Sequence, residues 1–136
     1  MFRPDQTLHL MLVTALLIAS GNAIAQQPAP PSGSWSGVLH GDTNKRVRVE
    51  AEFKSSSVSL HFSDPFSCRI EAGFLESTSD GIYYTFHPST DGGAFCDRLY
   101  PGDLVLSPLT DAGLPLSLSN GKVRWSGTLS ATSTSP

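Results

Sequence analysis

Hydrophobic and polar residues alternate along most of this chain with a period of two. The clearest stretch is Arg46 to Phe53, where Val47, Val49, Ala51 and Phe53 oppose Arg46, Arg48, Glu50 and Glu52. One apolar and one charged face is the signature of a half-buried β-strand. Trp35, Gly37 and Leu39 share a phase, as do Val58, Leu60 and Phe62, then Cys68, Ile70, Ala72 and Phe74, then Ile82, Tyr84 and Phe86. Leu104 with Leu106, Leu114 with Leu116 and Leu118, and Val123 with Trp125, Gly127 and Leu129 complete eight expected strands. No stretch of helical period is long enough to predict an amphipathic helix.

The junctions carry turn chemistry. Asn120-Gly121 sits between two alternating runs and predicts a hairpin, since both residues tolerate positive φ. The segments "HGDTNK", "SDPF" and "TSDG" supply the other breaks. Short links between successive strands give antiparallel neighbours, hence a meander. With no helix to cover its apolar face, such a sheet must stack or close on itself. The expected fold is therefore all-β: a small antiparallel barrel or barrel-like sandwich of about eight strands.

Trp-Ser-Gly occurs twice, at Trp35 to Gly37 and at Trp125 to Gly127, each followed one residue later by Leu. The matched phase predicts that the first and last strands pair and that both tryptophans point into one core. An inward Gly two residues beyond each Trp suits close packing, where a Cβ would obstruct.

The first 25 residues change the picture of where the domain lies. Arg3 precedes an apolar run from about Leu8 to Ala19 and an Ala23-Ile24-Ala25 cleavage pattern, which reads as a secretory signal peptide over 1–25. The run is too short for a membrane span of about 20 residues, so no membrane insertion of the mature chain is expected. Residues 26–33 are Pro-rich and read as a flexible lead, 34–131 as one β-domain, and 132–136 as a disordered tail. The expected location is periplasmic or secreted.

Export also decides how the two cysteines read. Cys68 and Cys96 in an oxidising compartment predict one disulfide closing a loop of 28 residues. A net charge of −3 with no basic run argues against nucleic acid as a partner.

Candidate chemistry is sparse. His40, His61 and His87 fall on polar phases of different strands without metal-ligand spacing, so they read as solvated and no metal or cofactor is expected. Glu50 and Glu52 share a face with Arg46 and Arg48, a setting for cross-strand ion pairs rather than for a general acid. No Gly-x-Ser-x-Gly elbow or phosphate loop occurs. The expectation is a protein that is not an enzyme and acts by binding.

The informative irregular segment is His87 to Asp103, longer than a usual hairpin link and tethered by Cys96. Phe95, Arg98 and Tyr100 belong to types enriched at binding hot spots and are the candidate binding residues. In the alternative reading Phe95 and Leu99 cap one end of the barrel. In size, export signal, single disulfide and β-meander the chain is similar to small periplasmic lysozyme inhibitors, whose binding motifs do not occur in it. That resemblance implies a protein-binding module that inhibits or neutralises an enzyme, with another extracytoplasmic protein as partner. The alternatives are a small-ligand carrier using the barrel mouth and, third, a metal-binding protein or enzyme.

Overall fold

The computed structural model describes residues 28–132. The expected signal peptide, the first two residues of the lead and the last four of the tail lie outside the described residues. Eight strands form a closed antiparallel barrel in meander order: β1 (Gly33–Gly41), β2 (Arg46–Phe53), β3 (Ser57–Ser63), β4 (Cys68–Thr78), β5 (Gly81–Phe86), β6 (Asp103–Leu106), β7 (Leu114–Ser119) and β8 (Arg124–Ala131). One short helix, α1 (Ala94–Asp97), interrupts the link from β5 to β6.

Alternation dictates the inside and outside of this barrel. Along β2 and β7 every second side chain is buried, and Val58, Leu60 and Phe62 do the same on β3. Among the described residues no charged side chain is buried, and the core is filled by Leu, Val, Ile and aromatic side chains. Eight strands enclose a space that side chains can just fill. Fully burying each Leu or Phe contributes about 1.5–3 kcal/mol.

Closure answers the question raised by the repeated Trp-Ser-Gly. β1 pairs antiparallel with β8, with Trp35 opposite Ala131, Leu39 opposite Gly127 and Gly41 opposite Trp125. The two copies are thus related by a local two-fold across the seam, which places a small residue opposite each Trp. The Trp125 ring lies on Gly41, where a Cβ would come within 2.9 Å of Cζ3. Trp125 is buried in the core, whereas Trp35 is half-buried and packs against it from the opposite rim. The expectation that both tryptophans enter the core therefore holds fully for Trp125 and in part for Trp35, because the dyad sends them to opposite ends.

One local expectation is corrected. Phe74 was expected to continue the inward phase of β4 but is 39% exposed. The register shifts between Phe74 and Glu76, a bulge that releases the strand from strict alternation near its end. The hairpin expected at Asn120-Gly121 joins β7 to β8; Gly121 takes positive φ, and the Asn120 Oδ1 accepts the amide N–H groups of Lys122 and Val123 at 3.2 and 2.9 Å.

Candidate functional site

In a closed meander the connections alternate between the two ends of the barrel. The β1–β2, β3–β4, β5–β6 and β7–β8 links therefore meet at one pole, and α1 belongs to the longest of them. This segment is fastened at many points. Its first part lies along β4: the His87 amide donates to the Glu71 carbonyl at 2.8 Å, and the Arg69 amide donates to the Asp91 carboxylate at 2.8 Å. Cys96 is joined to Cys68 at the start of β4, with the Cα atoms 6.1 Å apart, inside the range a disulfide can span. Gly93 lies so close to the Cys68 side chain that any Cβ there would collide with it. Beyond α1 the Leu99 amide closes a turn onto the Cys96 carbonyl at 3.0 Å, and the Asn120 side-chain amide donates to the Arg98 carbonyl.

The three candidate binding residues separate into two groups. Phe95 is only 7% exposed and plugs the pole. Its ring meets Phe62 at 4.7 Å and Trp125 at 5.1 Å edge-to-face, and stacks on Phe66 at 5.0 Å, geometries that aromatic quadrupoles favour. Leu99 is buried beside it. Arg98 and Tyr100 are exposed, Tyr100 at 43%. Hence the segment caps the barrel with one set of side chains and presents another set to solvent.

Beside α1 lies a cleft of about 210 Å³. Phe66, Phe95 and Trp125 contribute its aromatic surface, and Lys45, Arg98, Lys122 and Arg124 surround it. Apart from Arg98, none of these cations was singled out by the sequence reading, and neither was Phe66, which is 36% exposed. They come from the β1–β2, β3–β4, β5–β6 and β7–β8 connections and from the start of β8, and line one cleft at this pole. A signal was available in the meander order itself, since alternate connections of a closed sheet share a pole.

The other candidate groups do not converge. His40, His61 and His87 stand on β1, on β3 and just after β5, and among the described residues no group of three or more His, Cys, Asp or Glu side chains is placed to hold a metal ion. On the charged face of β2 the Glu50 carboxylate lies 4.0 Å across strands from His61 Nδ1. Arg46 and Arg48 make no carboxylate pair among the described residues. The Tyr84 hydroxyl is buried without a hydrogen-bond partner among the described residues, and burial pushes its pKa up. Comparison of the chain with protein-family models, with curated proteins and with solved structures finds no match.

Proposed function

We propose that this protein is an exported binding module that recognises another extracytoplasmic protein, periplasmic or secreted, through the pole carrying α1. The observation that carries this reading is the division of labour in the 87–103 segment. Arg98 and Tyr100 face solvent on a backbone held from below by Phe95, Cys96 and Leu99 and by the disulfide. A loop already ordered before contact loses less entropy on binding, which favours affinity. Arg and Tyr are also the types that most often dominate binding energy. The disulfide is compatible with an oxidising compartment. Charged residues on the outer face of β2, the inverse of a lipid-facing apolar band, support a barrel that stands in water. Inhibition or neutralisation of an enzyme is the mode of action that such binding would serve.

The test is capture on immobilised protein from extract of the same compartment, run beside an Arg98→Ala/Tyr100→Ala control. A partner retained by the native chain and lost by the control supports the reading; equal retention by both counts against it. A thermal-shift screen addresses the rivals, since metals or apolar ligands should raise the melting temperature of a metal protein or ligand carrier and leave a protein-binding module unmoved.

A further inference from the structure

We propose that the cleft beside α1 receives a carboxylate side chain, together with its apolar neighbour, from an acidic segment of the partner protein. The proposal rests on the binding-module reading and specifies its chemistry.

Charge distribution is the first argument. The described residues hold eight Lys and Arg against eleven Asp and Glu, yet the cleft gathers four of the cations, Lys45, Arg98, Lys122 and Arg124, with the single carboxylate of Asp42. Among the described residues none of the four has a carboxylate within 4.0 Å. All four are exposed and line the same cleft, in a chain whose net charge is −3. Half of the cations of the described residues thus line one cleft, and screening over about 8 Å at physiological salt limits how far carboxylates elsewhere on the surface offset them for a docked group.

Shape and surface chemistry narrow the ligand. At about 210 Å³ the cleft falls below the roughly 300–1,000 Å³ that encloses a whole small-molecule ligand, and is sized for one or two side chains. Phe66 is stacked on Phe95 and remains partly exposed, so an apolar group can lie on the aromatic surface while its acidic neighbour meets the guanidinium and ammonium groups. Arg98 and Arg124 supply planar forks that match a carboxylate in two-point contact. Four cations around a pocket, without an extended basic track, suit a short acidic segment better than a nucleic acid backbone, whose binding rests on many phosphate contacts.

The experiment titrates the full mature chain with a blocked peptide in which two glutamates flank a phenylalanine, and follows backbone amide shifts by NMR. Shifts should concentrate at Phe66 and at Lys122 to Trp125. Binding should weaken at least tenfold in Lys122→Glu/Arg124→Glu, and by a similar factor between about 50 and 200 mM salt. Lys54→Glu, in the turn after β2 at the other pole, should bind as the native chain does. Equal affinity for the glutamine counterpart of the peptide, equal shifts with inorganic phosphate alone, or no effect of the double reversal would overturn the proposal. If a captured partner is lost with Arg98→Ala/Tyr100→Ala but kept by Lys122→Glu/Arg124→Glu, the binding module stands and the cleft proposal falls. Peptide bound in the cleft, with no partner captured by the native chain, would support the site and count against the module.

Discussion

Leu39 lies over Gly127, its Cδ2 3.0 Å from the place a Cβ would occupy on that glycine, and Leu129 lies over Gly37 at the same 3.0 Å. The seam that closes the barrel is thus built from two interlocked Gly–Leu pairs. A methyl group on Gly127 would also collide with the Val38 carbonyl, which is backbone and has little freedom to move. Gly127→Ala should lower stability by about 1–3 kcal/mol. Urea denaturation beside Ser130→Ala, an exposed seam position expected within about 0.5 kcal/mol of the native value, checks this. Similar midpoints for the two variants would show that the seam is loose.

The Cys68–Cys96 bridge spans 28 residues. Loop-closure entropy predicts a loss of about 2–4 kcal/mol in Cys96→Ser, readable by denaturation. Intact mass before and after alkylation, with and without reduction, checks that the bridge forms. Two free thiols in protein taken from an oxidising compartment would contradict the structure.

Phe95 and its neighbours should respond in opposite ways. Phe95→Ala removes a ring that touches three others and should cost about 3–5 kcal/mol. Arg98→Ala and Tyr100→Ala should leave the melting temperature nearly unchanged while each weakens partner binding by at least about 1 kcal/mol. Affinity and melting temperature measured on the same three proteins separate cap from contact surface. A large fall in stability for Arg98→Ala would make that side chain part of the cap.

Tyr84 gives a prediction with a definite sign. Its hydroxyl is buried and, among the described residues, unpartnered, so Tyr84→Phe should leave stability unchanged or raise it by up to about 1 kcal/mol. Burial raises its pKa above the ordinary 10.0. Stability should therefore be intact below pH 10 and fall as pH rises beyond it, because the unfolded chain ionises first. Denaturation midpoints between about pH 8 and 11 should decline less steeply for Tyr84→Phe than for the native chain; parallel decline would mean that another group governs the alkaline limb.

The strands were legible in the sequence because each is half-buried, and burial on one face imposes a two-residue period that Val47 to Phe53 display without exception. Closure was legible in the two Trp-x-Gly-x-Leu segments, where the glycine of each makes room for the leucine of the other. Phe74 was misread because a bulge leaves no mark in an apolar–polar pattern. The β7–β8 hairpin was legible in Asn120-Gly121, although the hydrogen bonds of the Asn120 side chain were not. The pole was half legible: the length and the cysteine of the 87–103 segment drew attention to it. Its cations were hidden by distance along the chain, since Lys45, Arg98 and Lys122 stand on three separate connections that line one cleft.

Both ends of the domain leave from the same side of the barrel. Trp35 and Ala131 are paired, and the Thr132 amide donates to the Ser34 carbonyl at 2.9 Å, whereas the basic cleft lies at the far end of β1 and β8 beside Gly41 and Trp125. The described ends therefore leave from one pole, and the proposed docking cleft opens at the other. A fluorescent protein, a surface anchor or a second barrel joined at either terminus would sit about one strand length from the cleft and leave it open. Joining the two termini through a short linker, with new ends cut in the Ser55–Ser56 turn at the pole of the described ends, should yield a permuted barrel that presents the same cleft.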